Sequence, residues 1–148
     1  MVSLFLSPPM SEQSNQVRIT PSVFEQILHH ARQEAPNECC GLLTGKGSTI
    51  SRCHPTTNIL KSEVQYSIDP LELFQFFREI RSSQESHLGI YHSHPSSEAY
   101  PSRADVEQAF YPHCCYLIVS LKDPATPSLR AFRIDREEVT ELELQTVS

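Results

Sequence analysis

One short apolar run that ends in His-Ser-His-Pro constrains this chain more than any other segment. His87-Leu88-Gly89-Ile90-Tyr91 reads as a strand running directly into His92-Ser93-His94, and Pro95 stops it because proline has no N–H to give a ladder. Side chains alternate across a strand, so His92 and His94, two apart, point to the same face at its C-terminal end. A polar loop rich in Pro and Ser covers 95–101. Ser102-Arg103-Ala104-Asp105 then has the form of a helix start, with Ser at the cap and an acid three residues on. Two imidazoles, a hydroxyl and a carboxylate therefore fall within fourteen residues. That is the donor set of a hydrolytic zinc site, which takes three protein ligands from His and Asp/Glu and leaves the fourth position to water. The residues alone leave a plainer reading open. Among seven histidines a His-x-His pair arises often by chance, Asp105 can be a capping-box acid, and Ser102 a simple N-cap.

A hydrolase also needs a base for the attacking water. Of eighteen acids, Glu38 in Pro36-Asn37-Glu38-Cys39-Cys40-Gly41-Leu42-Leu43-Thr44-Gly45 is the candidate, because it stands at the mouth of an apolar, Gly-bounded segment. A charge beside a buried strand is costly unless it has a partner or a task. Position by itself favours the plainer reading of Glu38, an exposed loop acid after the helix that ends near Glu34.

Taken together, Glu38-x-Cys-Gly, His92-x-His-Pro, ten residues between His94 and Asp105, and Ser102 three before the Asp resemble the JAMM (MPN-plus) zinc metalloprotease family. The fit runs from about Val17 onward. The resemblance implies His92, His94 and Asp105 as zinc ligands, Glu38 as general base and Ser102 as oxyanion donor. It also implies the α+β fold of that family, a mixed sheet flanked by helices and similar to that of the cytidine deaminases. The shortness of the chain resembles the prokaryotic branch. That branch implies a peptidase or isopeptidase cutting after the C-terminal Gly-Gly of a small ubiquitin-fold sulfur-carrier protein.

Composition narrows the alternatives. At 148 residues one domain is expected. A net charge of −6 without a basic run argues against nucleic-acid binding. Residues 2–6 lack a basic lead-in and are too short for a signal or a span, so no membrane partner is expected. Residues 1–16 read as a disordered polar tail, with Met10 as an alternative start, and the domain as 17–148. Five cysteines, odd in number and including the adjacent pairs Cys39-Cys40 and Cys114-Cys115, suit buried thiols in the reducing cytoplasm better than a disulfide framework. Without a CxxC pair no structural zinc is expected. Cys39 and Cys40 stand next to Glu38 and could be nucleophiles, although small buried hydrophobes are the more ordinary role.

Thr20-Pro21 should open a helix carrying Val23, Phe24, Ile27, Leu28 and Ala31 at helical spacing. Strands are expected near 40–44 and 48–53. Val64 to Ile68 alternates like a strand, and Asp69-Pro70 should cap a second helix with Leu71, Leu73, Phe74, Phe76, Phe77 and Ile80 as its apolar residues, the phenylalanines serving the core rather than a cofactor. Three more strands are expected at 114–122, 128–134 and 139–144.

Motifs for other chemistries are missing: HExxH, His-x-Glu with Pro-Cys-x-x-Cys, GxSxG, the P-loop and GxGxxG. Three competitors remain. A RadC-type DNA-repair-associated domain shares the 92–105 pattern but is not expected to carry Glu-x-Cys-Gly. A non-catalytic MPN scaffold would lack the ligands. A small-molecule amidase, acting for example on a cysteine adduct, needs substrate assays to exclude. Tyr100-Pro101 and the connection 54–63 could gate the site or be ordinary surface loop. A chain this short has little room for the insertions that give deubiquitinases of this family their linkage choice.

Overall fold

The computed structural model describes residues 15–147. Eleven elements follow in chain order: β1 (Gln16–Ile19), α1 (Pro21–Glu34), β2 (Cys40–Gly45), β3 (Thr49–Ile50), β4 (Arg52–Thr56), α2 (Pro70–Ile80), β5 (Ser86–His94), α3 (Arg103–Glu107), β6 (Cys115–Ser120), β7 (Ser128–Asp135) and β8 (Glu138–Thr146). The expected tail lies outside the described residues up to position 14, and its last residue is already in a strand. Gln16 opens β1, which pairs in parallel with β8 through Val17↔Leu144 and Ile19↔Thr146. No helix among the described residues is long and apolar enough to cross a membrane.

One mixed sheet of eight strands, in the order β3-β1-β8-β7-β6-β5-β2-β4, carries helices on both faces, the α+β architecture expected from the sequence. Its centre is the parallel pair β5–β6, flanked by antiparallel neighbours β2 and β7. Helix α1 begins as its sequence predicts. Pro21 occupies the first turn, where a missing N–H is harmless, and Thr20 Oγ1 accepts from the Val23 N–H at 3.3 Å. Its apolar stripe, Val23, Ile27 and Ala31, is fully buried against Tyr91, Leu117 and Val119 of the sheet. The second core, on the opposite face, gathers Leu42, Ile90, Ile118, Phe132 and Ile134 under Phe76 of α2.

Three expectations need correction. Val64–Ile68 is not a strand; its nearest approach to a ladder is a lone bridge, Asn58↔Ile68. The Asn58 side chain supplies what a neighbouring strand would have supplied: its Nδ2 donates to Gln65 O, and its Oδ1 accepts from Ser67 N–H and Leu60 N–H. The expected strand 48–53 is split at Ser51, whose N–H turns back to Thr44 O, so that β3 joins β1 and β4 joins β2. On α2 only Phe76 is fully buried, with Leu73, Phe77 and Ile80 packed partly against the core. Phe74, expected in the core, is 60% exposed and Leu71 63%, because a single helix lying on a sheet hides one narrow stripe and these two fall off it.

A register shift between Leu43 and Thr44 of β2 leaves Leu88 of β5 as the extra residue of a bulge. A bulge reverses the facing of what precedes it. His87 consequently lies against Phe76 and Phe77 of α2, on the same side as Ile90.

Candidate active site

The C-terminal end of β5 sits in mid-sheet, between β2 and β6, with every residue from Gly89 to His94 buried. Alternation puts His92 and His94 on one face, as predicted, and sends Ser93 to the other. There Ser93 Oγ accepts the Cys39 N–H at 2.8 Å, while Ser93 N–H donates to Cys39 O at 3.1 Å. The residue between the two histidines thus fixes the backbone next to Glu38. Asn58 Nδ2 holds the Glu38 carbonyl, and the Glu38 N–H donates to Ser62 O.

Helix α3 brings the third donor. Ser102 Oγ accepts from the Asp105 N–H at 3.1 Å and Asp105 Oδ2 accepts from the Ser102 N–H at 2.9 Å, a complete capping box. The same Oδ2 lies 3.1 Å from His92 Nε2 and 3.0 Å from His94 Nε2, and the two Nε2 atoms are 3.2 Å apart. The capping acid and the candidate ligand are therefore one oxygen in both roles. Ser102 is an N-cap, as the plainer reading held, yet its hydroxyl caps as an acceptor and so keeps its proton to donate.

The triad of His92, His94 and Asp105 can hold a metal ion. A tetrahedral zinc with bonds of about 2.0–2.1 Å to nitrogen and oxygen spaces its ligand atoms about 3.3 Å apart, close to the separations found here. The imidazole of His94 is set for it: Nδ1 donates to Glu98 O at 2.7 Å, which leaves Nε2 with its lone pair toward the centre. His92 lies under the Tyr66 ring, stacked at 4.5 Å and 25°. Two buried polar atoms among the described residues lack any hydrogen-bond partner, His92 Nδ1 and Glu38 Oε1. The second is a buried acid with an empty acceptor, which is unusual unless the group has something to meet.

Burial shapes the protonation of these groups. Glu38 is 3% exposed, and desolvation pushes its carboxyl up to about 8, opposed by the charge of His94 and reinforced by that of Asp105. Asp105 is also desolvated, but its close contacts with the His92 and His94 rings and the Ser102 N–H outweigh this and hold it well below the usual carboxylate range. Burial pushes Cys39 up to about 12 and Cys40 up to about 11, so both thiols stay protonated and are poor nucleophiles. Neither is needed at the site.

Gly41, which closes the Glu-x-Cys-Gly segment, is required for space. A Cβ there would collide with the ring of Tyr91, whose hydroxyl is tied to His30 Nδ1 at 2.7 Å and cannot move aside. The two segments considered as gates are both anchored. Tyr100 packs edge-on to Phe132 at 5.4 Å with the Arg130 guanidinium over its ring, and Asn58 ties down the middle of 54–63.

Sequence reasoning missed Tyr66, Ser93, Asn58 and the Glu98 carbonyl, all of which position the ligands or Glu38. Only Ser93 carried a signal, its place between the two histidines; Tyr66 lies in the segment misread as a strand, Asn58 in the polar connection before it, and Glu98 contributes a backbone atom.

Comparison with known proteins gives the family. The profile of the family described as prokaryotic homologs of the JAB domain matches residues 20–135, most of the chain. This chain belongs to the prokaryotic JAB family. Among its relatives, the CysO-cysteine peptidase of Mycobacterium tuberculosis is 39% identical over 125 residues, covering 83% of this chain and 86% of the relative. The desampylase of Haloferax volcanii is 36% identical over 114 residues, covering 72% and 82% respectively. A Desulfitobacterium hafniense protein solved in solution superposes with a TM-score of 0.81 at 37% identity, covering 89% of this chain and 93% of that one. A JAB1/MPN domain protein from Archaeoglobus fulgidus, at 20% identity, TM-score 0.59 and 89% and 98% coverage, shares the fold.

Proposed function

We propose that this JAB-family protein is a zinc-dependent peptidase or isopeptidase that hydrolyses the bond after the C-terminal Gly-Gly of a small ubiquitin-fold sulfur-carrier protein, with His92, His94 and Asp105 as zinc ligands, Glu38 as general base and Ser102 as oxyanion donor. The observation that carries the reading is the meeting of His92 Nε2, His94 Nε2 and Asp105 Oδ2 within 3.2 Å of one another, in electrostatic reach of a buried carboxyl whose Oε1 is unpartnered. Relatives whose names specify CysO-cysteine and TtuB-protein conjugates support the substrate class. Five free thiols suit a reducing cytoplasm.

When bound, zinc supplies Lewis acidity, polarising a carbonyl and making water a stronger acid. Burial pushes the Glu38 carboxyl up to about 8, and its ionised form would be favoured by a dication held by His92, His94 and Asp105. Glu38 then takes the proton of the attacking water and delivers it to the leaving amine. Ser102 donates its O–H to the developing oxyanion, a bond compatible with its capping role because the cap uses only its lone pair. Glu98 O and Tyr66 hold the two imidazoles in place while this occurs. A Gly-Gly tail suits the site because glycine has no side chain to clash where the backbone passes close to the ligands.

The test is incubation of the zinc-loaded protein with ubiquitin-fold carriers extended by one or more residues past Gly-Gly, read by mass spectrometry. Release of the added residues is expected, with turnover abolished by Gly→Val at the last glycine. Equal cleavage of that variant in a chelator-sensitive manner would overturn the carrier assignment in favour of a small-molecule amidase.

A further inference from the structure

We propose that His87, His113 and Cys114 form a second metal site, for zinc(II) or a similarly borderline-soft cation, at the opposite end of β5 from the catalytic triad. One donor atom from each residue lies within 4.8 Å of the others. Along an extended strand, His87 is five residues from His92, or about 16 Å. The two groups cannot share an ion.

The Cys114–His87 pair already has the span of a coordinated one. Cys114 Sγ is 3.6 Å from His87 Nδ1, and bonds of about 2.3 Å to thiolate sulfur and about 2.0–2.1 Å to imidazole nitrogen set a tetrahedral S–N edge of about 3.6 Å. The other ring nitrogen fixes the tautomer. His87 Nε2 is 3.0 Å from Gly89 O, and a carbonyl can only accept, so Nε2 carries the proton and Nδ1 presents its lone pair toward the sulfur. A carbonyl behind the far ring nitrogen is the support that metal-binding imidazoles use. The β5 bulge at Leu88 is what turns His87 to this face.

The surroundings suit a bound cation with one open side. Phe76, Phe77 and Tyr111 ring His87 at 5.2–5.5 Å and shield the pair from water. His113 stands exposed in the turn before β6 and supplies the third donor from the solvent side. Burial keeps His87 neutral, pushed down to about 4, so only Cys114 must lose a proton on binding. That proton goes to solvent, the sulfur lone pair enters the metal bond, and nothing is oxidised. Without an ion the thiol is pushed up to about 12 and can donate to His87 O at 3.5 Å. Occupancy would clamp the start of β5 to the turn that leads into β6.

Chelator-stripped full-length protein titrated with Zn2+ should bind two equivalents, and His113→Ala one. His113 is exposed, so this change leaves the core intact. Cobalt(II) gives a second readout: a near-ultraviolet thiolate-to-cobalt absorption marks this site, since of the two candidate metal groups among the described residues only this one contains sulfur. The band should persist in His92→Ala and vanish in His113→Ala and Cys114→Ser. A single equivalent in the parent without a thiolate band, or a band that survives His113→Ala, overturns the proposal. Loss of metal from the catalytic triad alone would leave this band in place, so the two readings fail separately.

Discussion

Ser93 and Cys39 exchange two hydrogen bonds, Cys39 N–H to Ser93 Oγ at 2.8 Å and Ser93 N–H to Cys39 O at 3.1 Å, across 54 residues of sequence. Through them the strand that bears both histidines holds the backbone beside the candidate base. Ser93→Ala orphans a buried N–H, which should destabilise by about 1–3 kcal/mol. Because Glu38 is then less well placed, kcat should fall while metal content stays the same. Denaturant unfolding, metal analysis and turnover measured on one preparation would test this, and an unchanged kcat would show that the link does not govern Glu38.

His92→Ala, His94→Ala and Asp105→Ala each remove one of three candidate ligands and should abolish stoichiometric metal at the catalytic centre. Glu38→Gln should keep the metal and reduce turnover by about a hundredfold or more, the scale of a lost general base. Metal content equal to the parent's in all three alanine variants would refute the ligand set, and full activity in Glu38→Gln would place the base elsewhere.

Ser102 has two roles that substitution can separate. At an N-cap, Ser→Ala costs about 1 kcal/mol but Ser→Gly only a few tenths. Both remove the hydroxyl. Both should therefore lower kcat by about a hundredfold, with a clear drop in melting temperature in Ser102→Ala alone. A Ser102→Gly variant of normal kcat would leave Ser102 as a cap only.

Gly41→Ala should be severely destabilising, because the added methyl meets the Tyr91 ring and His30 holds that ring's hydroxyl. The double variant Gly41→Ala/Tyr91→Leu should recover part of the lost stability. No recovery would mean that the clash is not the cause.

Acid sensitivity should come in part from His87. Its ordinary value of 6.5 holds in the unfolded chain; in the folded protein burial pushes it down to about 4, with the Gly89 carbonyl opposing and His113 and His54 adding to the effect. Between these values the unfolded chain binds a proton that the folded chain does not. The stability present above pH 6.5 is therefore lost as pH falls toward 4. With chelator present, urea midpoints followed from about pH 7 to about pH 5 should fall less steeply in His87→Gln than in the parent. Parallel curves would assign the sensitivity to other groups.

What the sequence determined by itself is local: the caps at Thr20, Asp69 and Ser102, the stripe on α1, and the strand that delivers His92 and His94 to one face and stops at Pro95. Each depends on residues within a turn or two, where backbone geometry and side-chain period decide the outcome. The donor set was legible for the same reason. Only tertiary structure decided that Glu38 is buried within reach of that set rather than an exposed loop acid, since this depends on Ser93 gripping Cys39 and Asn58 gripping the Glu38 carbonyl. It also decided that 64–68 stays out of the sheet while 16–19 joins it, that Tyr66 covers His92, and that a bulge turns His87 toward Cys114. An alternating segment is equally satisfied by a neighbouring strand or by an asparagine that reaches its backbone groups, and which of them arrives is settled by parts of the chain far away in sequence.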